Sequence, residues 1–188
     1  MTLLVLGLVL FLGIHLVPAL PPLRAAVAGA LGEGRYKGMF SLVSAAGLVL
    51  IVLGYAWSGP RVPLFAPVPA AVAIAPAAMV VSLILFAAAN MRGHLRRVIV
   101  HPMLLGLLIW SGVHFLANGD RAGSLLFGAF FVYGVVDLVS ALARGARKVF
   151  VAEAKFDAMA IVGGIVVAVV VMALHRVLFG VRVVGWGF

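Results

Sequence analysis

The chain has 188 residues, of which 65% are hydrophobic and only 10% are charged, and its mean hydropathy is +1.27. This composition supplies too little polar surface for a soluble domain of that size. Its 14 basic and 5 acidic residues give a net charge of +9, which in a soluble protein would indicate nucleic-acid binding. In a membrane protein the same excess collects in cytoplasmic loops, so no nucleic-acid partner is predicted.

Six apolar stretches are long enough to cross a bilayer as helices, which takes ~17–25 residues. They lie at residues 2–20, 38–57, 69–90, 100–118, 122–143 and 157–179. The third is the weakest because Pro69 and Pro76 fall in its first turns, and five spans is the alternative. Residues 21–37 have the character of a short interfacial helix. The sequence therefore predicts an all-α, polytopic transmembrane helix bundle that forms a single integral-membrane domain over residues 1–188.

The positions of the basic residues predict the orientation of this bundle. The odd-numbered loops carry ten of them, namely Arg24, Arg35, Lys37, Arg92, Arg96, Arg97, Arg144, Arg147, Lys148 and Lys155. The even-numbered loops and the C-terminal end carry the other four, Arg61, Arg121, Arg176 and Arg182. Because Lys and Arg are enriched in cytoplasmic loops, the odd loops are predicted to be cytoplasmic and both termini non-cytoplasmic.

The segment HPMLLGLLIWSGVHFLANGD, residues 101–120, carries two histidines in one predicted span. Residues three and four apart form a polar and aromatic stripe on one helix face, Trp110, Ser111, His114 and Asn118. This stripe favours an inward, functional role for His114. His101 precedes Pro102 and is more simply explained as the start of a helix. The two histidines are ~140° apart around the helix, so a shared metal site needs a ligand from another helix.

His15 and Asp137 are further ionisable candidates at membrane depth. His15 is equally well explained as a residue that hydrogen-bonds within the helix bundle and as a ligand of a metal or haem. Asp137, one turn after Tyr133, either pairs with Arg144 or another basic residue near the cytoplasmic surface, or acts as a histidine-orienting group or proton carrier. The turn at residues 118–120 is explained by its Asn-Gly pair, although a functional cap over the neighbouring histidine is also compatible with it.

Four segments in this order resemble the NnrU family: GIHLVPALPPLR, LGEGRYKGMFSLVSAAGLVLIVLGY, VIVHPMLLGLLIWSGVHFLANGD and YGVVDLVSALARGARK. The resemblance covers most of the chain and implies a bacterial inner-membrane protein associated with nitric-oxide and nitrate respiration. The family is also similar to 15-cis-zeta-carotene isomerase, a membrane enzyme that uses haem b. That similarity implies haem b in this chain, with His15 and His114 as its axial ligands. His101, Asn118 and Asp137 would position or tune these ligands.

The depths of the histidines favour a competing ligand pair. With a rise of ~1.5 Å per residue, His15 lies ~20 Å from the outer surface, His101 ~25 Å and His114 only ~6 Å. The pair His15 and His101 therefore competes with the pair that the resemblance implies.

The chain has no cysteine, so disulfides, iron–sulfur clusters, thiolate ligation of haem and covalent haem attachment are excluded.

Three functions are compatible with these residues and with what the resemblance implies. The first is a haem b protein that acts in redox sensing or isomerase-like chemistry, with enzymatic turnover left open. The second is a non-enzymatic membrane factor for the maturation or regulation of denitrification proteins, with a respiratory or maturation subunit as its partner. The third, a small transporter with Asp137 and a histidine as proton carriers, is weaker because no paired discontinuous helices are visible. Each is compatible with contact to the lipid bilayer and with a homo-oligomer.

Overall fold

A computed structural model describes residues 1–180 and 183, and its regular structure is helical apart from one isolated β-bridge between Pro63 and Asp120. The described residues form eight helices: α1 (Thr2–Ala19), α2 (Pro21–Leu31), α3 (Glu33–Ala56), α4 (Pro69–Ala88), α5 (His94–Ile99), α6 (Pro102–Asn118), α7 (Arg121–Ala143) and α8 (Ala154–Phe179). Arg182, one of the basic residues used to predict the orientation, lies outside the described residues.

Five helices are long and apolar enough to cross a membrane. They are α1, α3, α4, α7 and α8, and they match the first, second, third, fifth and sixth predicted spans. The third span is a helix of 20 residues, with Pro69 in its first turn and Pro76 inside it. The prediction of an all-α protein with membrane-type helices is confirmed.

The predicted fourth span, residues 100–118, is shorter than expected. α6 has 17 residues, because Pro102 at its start cannot donate a backbone hydrogen bond and Gly119 ends it in a left-handed conformation with φ of 68°. Just before α6, Val100 has a φ of 60°, which interrupts the helical conformation of the backbone. The basic residues upstream form the separate six-residue helix α5. Six spans, and the placement of both termini on the non-cytoplasmic side, stay predictions.

The interfacial helix is also shorter than predicted. α2 ends at Leu31, and α3 begins at Glu33, five residues before the expected start of the second span. Gly32 separates the two helices with φ of 80° and ψ of 148°, a conformation that side-chain-bearing residues rarely adopt. Across this junction Arg24 forms an ion pair of 2.8 Å with Glu33. Residues 33–37 therefore belong to α3, not to the interfacial helix.

The chain forms two compact units, each made from two stretches of sequence. Unit 1 comprises Met1–Leu64 and Asp120–Arg144, and unit 2 comprises Phe65–Gly119 and Gly145–Phe188. In unit 1, α1 packs along α3, and α7 contacts both of these helices. In unit 2, α4 packs against α6 and α8, while the short α5 contacts the same two helices.

Glycines bring α1 and α3 into close contact in unit 1. A Cβ atom at Gly7 would lie 2.6 Å from the backbone nitrogen of Ile51, and one at Gly47 would lie 2.7 Å from the backbone nitrogen of Phe11. Gly54 approaches the start of α1 equally closely. These distances leave no room for a side chain, so the two backbones pack at a separation that only glycine permits.

In unit 2, glycines of α6 and α8 likewise allow these helices to pack closely against α4. A Cβ atom at Gly106 of α6 would lie 2.9 Å from the carbonyl oxygen of Ser82, and the buried Ser82 hydroxyl donates to the carbonyl of Gly106 at 2.8 Å. On the other partner helix, a Cβ atom at Gly164 would lie 2.5 Å from the Cα atom of Ile84. Glycine therefore permits close helix packing in this unit too.

Replacing Gly47 by Ala is expected to destabilise the protein by about 1–3 kcal/mol, because the new methyl group would overlap the backbone of Phe11. Gly13→Ala is the matched control, since a Cβ atom at Gly13 meets nothing within 4 Å. Thermal unfolding in detergent micelles measures both variants. A loss of stability in Gly13→Ala equal to that in Gly47→Ala would contradict the packing argument.

Candidate functional site

The predicted site residues belong to different units. His15 and Asp137 lie in unit 1, whereas His101, His114 and Asn118 lie in unit 2. Both predicted ligand pairs, His15 with His114 and His15 with His101, draw one histidine from each unit. Their roles as ligands stay predictions, and the contacts inside each unit show what holds each side chain.

His15 is surrounded by aromatic rings from three helices of unit 1. The ring centroids of Phe11, Phe40 and Tyr133 lie 4.3, 5.0 and 6.3 Å from that of the imidazole. The Nδ1 atom of His15 is 2.6 Å from the carbonyl oxygen of Phe11. Because a carbonyl only accepts hydrogen bonds, Nδ1 is the donor in this contact, and Nε2 is the ring nitrogen left for other contacts.

Tyr133 connects His15 to Asp137. Its ring stands at 83° to the imidazole plane, and its hydroxyl donates to Oδ2 of Asp137 at 3.2 Å. Within residues 1–180 and 183, no salt bridge involves Asp137, so the predicted pairing with Arg144 does not form. The structure thus brings two predicted site residues into one cluster through a tyrosine that the sequence placed one turn away.

Arg144 instead stabilises the end of α1. Ser140 donates to the carbonyl oxygen of Ala19 at 2.6 Å, and the Arg144 guanidinium donates to the same oxygen and to the Ser140 hydroxyl. Ala19 is the last residue of α1, where backbone carbonyls lack partners within the helix. A positive charge also interacts favourably with the C-terminal end of a helix dipole. Arg144 and Ser140 therefore act as a cap supplied by α7.

In unit 2, His114 is held much as His15 is. Its Nδ1 atom is 2.8 Å from the carbonyl oxygen of Trp110, and the two rings are 5.5 Å apart. Ser111 is fully buried and donates to a carbonyl one turn earlier. His101 is the residue that precedes the first turn of α6, as its simpler interpretation predicted, and Asn118 is the last residue of that helix.

Asp120 serves the helix that follows it. Its carboxylate accepts from the backbone N–H of Gly123 at 2.9 Å, which caps α7, and it forms a 3.2 Å ion pair with Arg61. Arg61 also donates to the hydroxyl of Tyr55. Partial burial opposes the charge of this guanidinium, but Tyr55 and Asp120 outweigh it and raise the pKa of Arg61. The carboxylate therefore caps α7 and connects it to the loop between α3 and α4.

His94 and Asp157 form a polar cluster in unit 2 that sequence reasoning did not find. Asp157 accepts from the backbone N–H groups of His94 and Leu95, each at 2.8 Å, and its Oδ2 atom is also 2.8 Å from Nδ1 of His94. The carboxylate thereby caps α5 from α8. Among the described residues, no group of three or more His, Cys, Asp or Glu side chains is placed to hold a metal ion.

An apolar groove lies between α1 and α7 of unit 1. Its volume is about 560 Å³. It is lined by Leu12, Leu16, Ser124, Leu125, Gly128, Ala129, Val132, Tyr133 and Val136. Tyr133 contributes to this groove and to the His15 cluster. The groove could not be found from the sequence, because it depends on the pairing of two helices that lie far apart in the chain.

The family profile described as NnrU protein matches residues 3–183, nearly the whole chain. The chain belongs to the NnrU family. No curated protein and no solved structure matches it at a significant level. The resemblance to the NnrU family seen in the sequence is therefore confirmed, and the five long apolar helices of this NnrU-family chain indicate a membrane protein.

In this NnrU-family protein, Tyr133→Phe is expected to reduce stability by about 1–3 kcal/mol, because it leaves the carboxylate of Asp137 without its hydrogen-bond donor. Tyr55→Phe is the control, since its hydroxyl bonds with Arg61 in an exposed position and its loss is expected to matter less. Unfolding midpoints in detergent distinguish the two. Equal losses would show that the Tyr133 bond has no special role.

Proposed function

We propose that this NnrU-family protein is a bacterial inner-membrane protein that binds haem b and acts in redox sensing or isomerase-like chemistry linked to nitrogen-oxide respiration. His15 and His114 would hold the haem iron. The supporting observation is that each imidazole makes the same kind of hydrogen bond within its own helix. Each Nδ1 atom lies within 2.8 Å of the carbonyl four residues earlier, so the coordinating lone pair is on Nε2. Metal-binding histidines are commonly oriented by such a hydrogen bond from the other ring nitrogen.

The residues around His15 suit this group. Imidazole is a common axial ligand of haem iron, and the chain has no thiolate to compete with it. The rings of Phe11 and Phe40 lie against the imidazole and make its surroundings apolar. The bond from Tyr133 to Asp137 holds the edge of the tyrosine ring against His15. Bound haem would supply an iron centre whose oxidation state can change.

The same aromatic contacts support a second function. Three rings and a hydrogen bond within its own helix also explain His15 as a residue that stabilises helix packing. The protein would then be a non-enzymatic membrane factor for the maturation or regulation of denitrification proteins, with a respiratory or maturation subunit as its partner. This function predicts a colourless protein that co-purifies with such a subunit.

A visible absorption spectrum of the purified protein, expressed with an adequate supply of haem, tests the proposal. A Soret band is expected, and His15→Ala and His114→Ala should each lower the haem content several-fold. His94→Ala is the control, because His94 is paired with Asp157 and has no proposed role as a ligand. It should retain the full band.

The possible outcomes separate the hypotheses. Absence of the Soret band would overturn the haem proposal and favour the non-enzymatic function. A band that survives in the double variant of His15 and His114 would show that these residues are not the ligands. A band lost in His101→Ala but kept in His114→Ala would assign the competing ligand pair.

A further inference from the structure

Three exposed valines at one end of unit 2 lie outside its membrane-length helices. Val98 of α5 is 79% exposed, and Val149 and Val151 in the segment before α8 are 100% and 83% exposed. Apolar side chains on a membrane-spanning helix contact lipid and need no other explanation. These three lie in connecting segments, where contact of a large apolar side chain with water is unfavourable. Their exposure therefore indicates an apolar neighbour outside the chain.

Contacts within unit 2 hold α5 beside the segment that precedes α8. The guanidinium carbon of Arg96 lies 5.4 Å from the ring centroid of Phe150, within the range of a cation–π contact. The backbone N–H of Glu153 donates to the carbonyl oxygen of Arg92 at 3.0 Å. These contacts make the two segments one continuous surface. This surface, the α5 surface, consists of residues 92–98 and 147–151.

The α5 surface carries positive charge that no acidic residue of unit 2 neutralises. Glu153 is already paired with Lys155. Asp157, the other acidic residue of unit 2, is paired with His94. Four exposed basic residues of the surface form no salt bridge within residues 1–180 and 183, namely Arg92, Arg97, Arg147 and Lys148. The partner of this surface is therefore anionic as well as apolar.

The position of the α5 surface identifies that partner. The surface follows the end of α4 at Ala88 and precedes the start of α8 at Ala154. Both helices are long enough to cross a membrane, so their ends lie where the chain leaves the hydrocarbon core. Lipid phosphates and the adjoining part of the acyl chains meet at this level. An acidic protein would have to displace the headgroups that already lie there.

We propose that the α5 surface binds anionic glycerophospholipids. The four cations contact lipid phosphates, and the three valines enter the boundary between headgroups and acyl chains. Segments that combine cations with apolar side chains bind membrane interfaces in this way. A zwitterionic lipid binds less tightly, because its headgroup brings a cation of its own to the basic surface. This site does not depend on haem binding.

A spin-labelled phosphatidylglycerol tests the charges. The protein is placed in phosphatidylcholine vesicles, and EPR measures how much labelled lipid it immobilises. Arg92→Gln/Arg97→Gln should weaken binding about fivefold for each cation removed, the equivalent of ~1 kcal/mol. Arg35→Gln/Lys37→Gln is the matched control, because it removes the same charge from two exposed residues of α3 in unit 1. It should change the binding less than twofold.

A nitroxide at position 149 tests the contact of the valines with lipid. The chain has no cysteine, so Val149→Cys provides a single labelling site. In vesicles that contain phosphatidylglycerol, the label should be several-fold more accessible to oxygen, which concentrates in lipid, than to a water-soluble nickel complex. Adding Arg92→Gln/Arg97→Gln should shift this ratio towards the nickel complex. Unchanged unfolding midpoints would show that these variants remain folded.

The outcomes decide the proposal. Phosphatidylglycerol binding that is lost in Arg92→Gln/Arg97→Gln but kept in Arg35→Gln/Lys37→Gln, with the label at position 149 in lipid, supports it. Equal binding of phosphatidylglycerol and phosphatidylcholine by the wild-type protein, or equal losses in both double variants, overturns it. A label that is accessible mainly to the nickel complex also overturns it, since the surface would then face water, as a site for an acidic protein requires.

Discussion

The close approach of α1 and α3 is the contact on which unit 1 depends. Helices in lipid gain little from hydrophobic burial, so their association relies on van der Waals contact between closely packed backbones. Gly7 and Gly47 permit that contact. The same contact brings Phe40 of α3 against His15 of α1, and α7 adds Tyr133 from another side. The aromatic surroundings of the histidine are therefore a consequence of helix packing.

Three charged side chains satisfy backbone groups at the ends of helices. Arg144 donates a hydrogen bond to the last carbonyl of α1. Asp120 accepts from a backbone N–H in the first turn of α7, and Asp157 accepts from one in the first turn of α5. Unpaired backbone groups are costly where water is scarce, so these residues have a structural use. His15 and Asp137, linked through a tyrosine within unit 1, are not used in this way.

Local signals predicted the helices well. Hydropathy located five long helices to within a few residues, and a proline and a glycine explain why α6 stops at 17 residues. Pairings between distant residues could not be predicted, because one sequence carries no information on which helices meet. Arg61 and Asp120 are 59 residues apart, and Tyr133 meets His15 only after α7 packs on α1. The sequence showed the polar and aromatic stripe on α6, but it did not indicate which residue of another helix would contact His114.

The interleaving of the two units constrains how the protein is made. Translation completes α1 and α3 first, then the three helices α4, α5 and α6 of the other unit, and only then α7. Until α7 has been made, the terminal carbonyl of α1 lacks the hydrogen bonds that Ser140 and Arg144 donate to it. Nascent domains usually fold as continuous units, from the N-terminus onwards. Here no single cut in the chain yields two complete halves, so neither unit can finish folding before the ribosome has passed residue 143.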